Sequence, residues 1–204
     1  MAGTAELFPE LGREQEPVTL AGCRYQENVL TAAEEAALVA ALQKLDLKPF
    51  EFHGHVANRR VISFGLRYDY SRRTVEGANE LPSFLNDLRA KAAEFAGRGV
   101  NEFQQAGVNE YGPGAGIGWH KDKAQFGIIV GISLQAPATM RFRRTQGRGW
   151  ARVSQTIAPR SIYLLSGEAR TEWEHSIPPL DELRYSITFR TLSDDGARLG
   201  GSQL

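Results

Sequence analysis

Within the run Asn109-Glu-Tyr-Gly-Pro-Gly-Ala-Gly-Ile-Gly-Trp-His-Lys-Asp122, His120 and Asp122 lie two positions apart. On a strand that spacing turns both side chains to one face, where they can share a metal ion. A third ligand must come from elsewhere, and His175, in Trp173-Glu-His-Ser-Ile177, is the candidate. Two histidines and one carboxylate on one side of an ion leave coordination positions open, the arrangement suited to oxidation at non-haem iron. Shortly after His175 comes Arg184-Tyr-Ser-Ile-Thr-Phe-Arg190, which sets Arg184 among Tyr185, Ile187 and Phe189. An arginine on so apolar a strand needs an anion if it points inward, either a protein acid or a ligand. Its guanidinium can hold a carboxylate through two parallel hydrogen bonds.

Each of these residues also has a plainer reading. A lone His-x-Asp pair arises by chance in many proteins. The four glycines at 112, 114, 116 and 118 permit close backbone approach before the pair, and serve a simple tight turn equally well. His175 also fits an exposed corner after a strand. His53 and His55 lie two apart as well, but no suitably spaced acid follows them, and they read as a solvent-facing pair.

The elements that must position these residues fall into two groups. Val18 to Leu30 alternates like short strands, and Thr31 with Glu34 forms a capping box opening a helix from Ala32 to Leu45, with Leu38, Ala41, Leu42 and Leu45 on one side. Phe50 to His55 and Arg60 to Tyr70 read as strands. Pro82 starts a second helix running to about Ala96, with Phe84, Leu85, Leu88, Ala92 and Phe95 as its buried stripe and Gly97 to Gly99 ending it. From Asn101 onward short strands alternate with Gly and Pro, the pattern of a sandwich or jelly roll. The expected strands are Glu102 to Tyr111, Phe126 to Leu134, Thr139 to Arg144, Ala151 to Ile157, Ser161 to Leu165 and Arg184 to Leu192. The expected class is α+β, mainly β.

The 204 residues suit one domain, 18–204, behind a flexible tail at 1–17, with a subdivision near residue 100 between an N-terminal extension, 18–100, and a core, 101–193. The 24 basic and 24 acidic residues cancel, so net charge names no partner. Locally the balance breaks: residues 58–73 hold five arginines (Arg59, Arg60, Arg67, Arg72, Arg73) against Asp69, and residues 139–152 hold five more with no acid. The single cysteine, Cys23, excludes an intrachain disulfide and points to a reducing compartment. With no apolar run of membrane-spanning length, the expectation is a cytoplasmic monomer.

Taken in order, Asn109-x-Tyr111, the Gly/Pro loop, His120-x-Asp122, Gly167-Glu-x-Arg170, His175 and Arg184-Tyr-x-x-Thr-Phe-Arg190 make the chain resemble the AlkB family of Fe(II)- and 2-oxoglutarate-dependent dioxygenases, over about Gly107 to Leu192. The resemblance implies a double-stranded β-helix (jelly-roll) core with an N-terminal extension forming a lid over the substrate. It implies that His120, Asp122 and His175 bind Fe(II), that Arg184 pairs with the distal carboxylate of 2-oxoglutarate, and that Asn109 and Tyr111 hydrogen-bond the same cosubstrate. Ser186 and Arg190 line that pocket, and Thr188 supports the strand. Two positions depart from the family pattern. Ser186 stands where many members have asparagine, and Ala124 stands where several nucleobase demethylases carry an acid.

The activity so implied consumes O2 and 2-oxoglutarate, yields succinate and CO2, and hydroxylates a C–H bond; a hydroxylated N-methyl group then falls apart to formaldehyde and the bare nitrogen. The expected substrate is an N-alkylated base in DNA or RNA, single-stranded or flipped from a duplex. Arg59, Arg60 and Tyr68 are the expected substrate contacts in the lid, and Trp119 a stacking platform or a core residue. Arg141, Arg143, Arg144, Arg148 and Arg152 form a second basic edge. The rival readings are a hydroxylase of a modified tRNA base or protein side chain, and a jelly-roll binding module that keeps a metal without turnover.

Overall fold

The computed structural model describes residues 20–52, 55–69, 74–77 and 80–194, so the expectations for the 1–17 tail, His53, Tyr70, Arg72 and Arg73 lie outside it. The capping box forms as the sequence demands: Glu34 N–H donates to Thr31 Oγ1, and Thr31 N–H to the Glu34 carboxylate. It opens α1 (Ala32–Leu42), which buries Val39 and Leu42. This helix ends three residues before the expected Leu45. Lys44 and Leu45 donate to carbonyls only three residues back, tightening the last turn and bringing Leu47 into the core. After Pro82 a short 3-10 turn (Ser83–Leu85) leads into α2 (Asn86–Ala96), and Gly97, at φ 65°, ends it in the left-handed conformation.

Twelve strands make up two sheets among the described residues. They are β1 (Cys23–Gln26), β2 (Lys48–Phe52), β3 (His55–Asp69), β4 (Thr74–Gly77), β5 (Phe103–Tyr111), β6 (Ile117–His120), β7 (Phe126–Leu134), β8 (Ala138–Gln146), β9 (Gly149–Ile157), β10 (Ser161–Leu165), β11 (Glu174–Ile177) and β12 (Arg184–Leu192). The major sheet runs β1-β10-β7-β12-β5-β3-β2, with β4 paired to β3. The minor sheet runs β6-β11-β8-β9. This interleaved pair of sheets is the double-stranded β-helix.

Strand alternation assigns the two faces of the major sheet. Ala106 and Val108 (β5), Val130, Ile132 and Leu134 (β7), and Tyr185, Ile187 and Phe189 (β12) pack with α1 and α2 in one core. Their neighbours Tyr111, Ile129, Tyr163 and Leu165 face the minor sheet, where Met140, Phe142, Trp173 and Ile177 complete a second core. The functional side chains belong to this inner layer. The segment before residue 100 is part of the same construction, since β1 extends the major sheet beyond β10 while β3 and β2 extend it beyond β5.

Candidate active site

The minor sheet supplies one half of the site. His175 on β11 pairs directly with His120 at the end of β6, and their ring centroids are 4.3 Å apart. Asp122 lies two residues past the end of β6, so the extended chain beyond a strand, rather than the strand itself, turns it beside the histidines. The ligand atoms of His120, Asp122 and His175 all fall within 4.8 Å of one another, with His175 Nε2 3.5 Å from Asp122 Oδ2. His120 Nδ1 lies 2.9 Å from Gly118 O. A carbonyl only accepts, so Nδ1 carries the proton and Nε2 is left bare for a metal. Gly116 is required here for close approach, because a Cβ on it would stand 2.6 Å from Ile177 O on β11.

Electrostatics prepares these groups for a cation. Burial pushes the His175 imidazole down to about 4 against the pull of Asp122, which keeps it neutral, the form that ligates. Burial opposes the charge on Asp122, but His175, Arg190, His120 and Arg170 together outweigh it and hold its pKa below the ordinary carboxylate value. Arg170, from the short helix α3 (Gly167–Thr171), donates to the carbonyls of Lys123 and Phe126 and so ties down the loop that carries Asp122. This positioning role is the one the Gly167-Glu-x-Arg170 pattern left unspecified.

The major sheet supplies the other half. Arg184 opposes Tyr111 and Ser186 opposes Asn109 across β12 and β5, so all four share the inner face. Arg184 is fully buried, its Nε donates to Ser133 Oγ at 3.0 Å, and its guanidinium carbon lies 5.1 Å from the Tyr111 ring centre. Its Nη1 and Nη2 are buried with no hydrogen-bond partner among the described residues. A buried cation with two parallel unspent donors is the receptor for a carboxylate. Arg190 Nη1 donates to Gln105 Oε1 at 2.6 Å near Asp122, and Thr188 Oγ1 donates to Gly107 O. The donor set of two imidazoles and a carboxylate, with an unpaired guanidinium on the facing sheet, fits iron plus a dicarboxylate cosubstrate.

Two inner-face residues escaped the sequence reading. Ser133 holds Arg184 in place. Tyr163 is buried, hydrogen-bonded to Ser186, and its phenol is pushed up to about 12, first by burial, so it stays protonated. Its ring lies against Gly131, where an added Cβ would sit 2.1 Å from it. A polar ring within an otherwise apolar strand, Ser161-Ile-Tyr-Leu-Leu165, was the available signal.

The expected substrate contacts separate. Arg59 points into the site, buried against the Phe50 ring at 4.0 Å and hydrogen-bonded to Tyr111. Arg60, the next residue, faces the other side of the sheet, where it makes two hydrogen bonds to Glu110 at 2.7 and 2.8 Å. Period-two alternation makes it impossible for both to face the metal. Trp119 likewise differs from expectation: it stands on the outer face of the minor sheet against Arg141 and Arg143, the side opposite the inward-facing His120, and is neither core nor over the metal. The Tyr68 side chain lies outside the described residues. An open cleft of about 830 Å³ borders the site through Ala124, Phe126 and Arg170, and also touches Leu66 on β3.

The family description "2OG-Fe(II) oxygenase superfamily" matches residues 22–190. An Arabidopsis thaliana protein named "Alkylated DNA repair protein ALKBH8 homolog" is 34% identical over 189 residues, covering 79% of this chain and 53% of that protein. A Mus musculus protein named "tRNA (carboxymethyluridine(34)-5-O)-methyltransferase ALKBH8" is 28% identical over 172 residues, covering 80% of this chain and 26% of that protein. The chain therefore spans about half the length of the first and about a quarter of the second. Among solved structures, OsALKBH1 superposes with a TM-score of 0.60 at 16% identity, covering 83% of this chain and 96% of that one. A Pseudomonas putida prolyl-4-hydroxylase superposes at 0.61 with 14% identity, covering 84% and 93%. These two likenesses establish the shared fold.

Proposed function

We propose, for a chain that belongs to the 2OG-Fe(II) oxygenase superfamily and is AlkB-like within it, that it oxidatively demethylates N-alkylated bases in DNA or RNA. The observation that carries the oxygenase reading is the fully buried Arg184 whose Nη1 and Nη2 have no hydrogen-bond partner among the described residues, on the sheet facing the His120, Asp122, His175 cluster. Nucleic acid as substrate is supported by the names of the relatives, one a DNA repair protein and one a tRNA-modifying enzyme. A cleft of about 830 Å³, roomy enough for a nucleotide, lies against the loop that carries Asp122, lined by Ala124, Phe126 and Arg170 but by none of the three metal-ligand candidates.

His120, Asp122 and His175 hold the iron, and Arg184, Asn109, Tyr111 and Ser186 hold 2-oxoglutarate. When bound, iron with 2-oxoglutarate and O2 supplies the oxidising power for the C–H bond, with succinate and CO2 formed from the cosubstrate. The chain supplies binding, orientation and a fixed field. Arg190 and Arg170 keep Asp122 ionised. Tyr163, held protonated, adds a neutral polar contact near Ser186 without a second negative charge. Arg59, buried beside Tyr111 and close enough to Asp122 to feel its charge, faces the cosubstrate pocket, and the N-terminal extension, 18–100, supplies the lid over the base. Ala124 offers that cleft no carboxylate, so an alkylated base is held there without an acid at this position.

A second reading combines the oxygenase chemistry with the tRNA uridine that the mouse relative's name prints: hydroxylation of a modified uridine in tRNA, with the added oxygen retained. Succinate formation with and without methylated DNA and RNA oligonucleotides and unmethylated, uridine-modified tRNA, read beside product mass, tests both. Loss of a methyl group with formaldehyde release supports demethylation. Gain of one oxygen with no carbon lost supports the tRNA reading and overturns demethylation. No 2-oxoglutarate turnover under any of these conditions overturns the oxygenase reading.

A further inference from the structure

The outer face of the minor sheet holds chemistry that the iron site does not use. Period-two alternation turns Met140 and Phe142 of β8 inward and Arg141 and Arg143 outward. Trp150 and Arg152 on β9 are likewise exposed, and Trp150, at 42%, is one of only two large exposed hydrophobic residues among the described residues. The Arg143 guanidinium carbon lies 4.4 Å from the Trp119 ring centre and 4.3 Å from that of Trp150, so the three form a continuous stacked ladder. Arg141 adds a contact of 5.2 Å to Trp119.

The charges on this face do not balance. Glu174 is the single acid on the four strands of the minor sheet, and it is taken by Arg143 at 2.6 Å. Arg152 sits directly opposite Arg143 in the β8–β9 register, and with Glu174 already spent on Arg143 the sheet holds no acid to balance it. Arg152 and Arg148 have no hydrogen bond or ion pair with any described residue. Arg144, by contrast, is satisfied by Glu168 and Glu172 and belongs to the scaffold. Unspent guanidiniums beside an exposed indole match a polyanion that also offers flat rings: guanidiniums take the phosphates and the indole takes an unstacked base.

We propose that this Trp119–Arg143–Trp150 ladder with Arg141 and Arg152 is a docking platform for single-stranded nucleic acid outside the catalytic cleft. Trp150 stacks a base, and Arg152 and Arg141 contact phosphates on either side. Trp119, on this platform, and His120, on the metal-facing side, are consecutive residues of the edge strand β6. A strand whose target base enters the site thus has its flanking nucleotides led around that edge onto the platform. The inference rests on the nucleic-acid reading of the site for its purpose, but the platform binds whether or not the base is modified.

The test uses the full chain with Mn(II) and 2-oxoglutarate and a labelled, unmethylated single-stranded oligonucleotide, read by anisotropy across a salt series. Trp150→Ala weakens binding about tenfold, the effect of one lost base stack. Arg152→Glu lowers the slope of log affinity against log salt by about 0.7 or more, the release expected of one phosphate contact. Retained thermal stabilisation by Mn(II) and 2-oxoglutarate shows that both variants are folded. If both bind as the wild type does, or if the wild type does not bind, the platform is overturned. Binding that is lost in the variants supports the platform even if no methylated oligonucleotide is turned over, a result that would sink only the demethylase reading.

Discussion

Arg184 is the residue on which the cosubstrate reading turns, and its energetics are unusual enough to test without turnover. A buried guanidinium with two unpartnered nitrogens is a liability to the ligand-free fold. Arg184→Met therefore leaves the ligand-free protein at least as stable as the wild type, while abolishing the thermal shift produced by 2-oxoglutarate; an unchanged shift would show that the carboxylate binds elsewhere. Arg184→Lys keeps the charge but loses the two-pronged contact, and raises the KM for 2-oxoglutarate about tenfold or more, the worth of one charge-assisted hydrogen bond of about 1.5–3 kcal/mol. His175 gives a pH signature. Its pKa falls from 6.5 to about 4 on folding, so between those values the unfolded chain binds the extra proton and the native state does not. Metal-free protein accordingly loses stability as pH drops from 6.5 towards 4, and His175→Gln flattens that part of a thermal-denaturation profile; equal slopes in both proteins would reject the buried neutral imidazole. The clustering of the proposed metal ligands His120, Asp122 and His175 was legible because chemistry restricts such ligands to few residue types in a fixed order. Arg60 and Trp119 were not, since clustering in sequence says nothing about which of two faces a strand residue takes.

Elements differ in how clearly the sequence announces them. The box at Thr31 and Glu34 is a local reciprocal hydrogen-bond pair, so α1 begins where it must. Thr31→Ala removes it and lowers stability by about 1 kcal/mol in denaturant titration. The strands β7, β10 and β12 match their expected bounds because apolar runs end at turn residues. β6 and β11, four residues each, carry too few side chains to show a period, and their pairing places His120 against His175 through contacts distant in sequence. The approach of β10 to β7 was also silent in the sequence. Gly131→Ala drives a Cβ into the Tyr163 ring, so the ring must leave its place beside Ser186. The expected result is a stability loss of about 1–3 kcal/mol together with weaker 2-oxoglutarate binding. A variant with intact affinity would show that Tyr163 only fills space.

The two sheets divide the proposed site between them: the metal-ligand candidates His120, Asp122 and His175 hang from the minor sheet, whereas Arg184, Ser186, Asn109 and Tyr111, proposed to hold 2-oxoglutarate, belong to the major one. That division depends on the order in which strands from opposite ends of the chain interleave, including β1 and β3 from before residue 100, and no local pattern could reveal it. It has a thermodynamic consequence. A metal alone engages one sheet, and a dicarboxylate alone engages chiefly the other, but a dicarboxylate that also ligates the metal joins the two. Each then strengthens the binding of the other by the same factor, as linkage requires. Thermal unfolding with Mn(II), with 2-oxoglutarate, and with both should show a combined stabilisation larger than the sum of the separate ones. Asp122→Ala, by removing a metal ligand on the minor sheet, should reduce the 2-oxoglutarate shift as well, although Asp122 is not part of the Arg184 pocket. Strict additivity in the wild type, or an Asp122→Ala protein that keeps the full 2-oxoglutarate shift, would mean that the two half-sites do not meet on one bound cosubstrate.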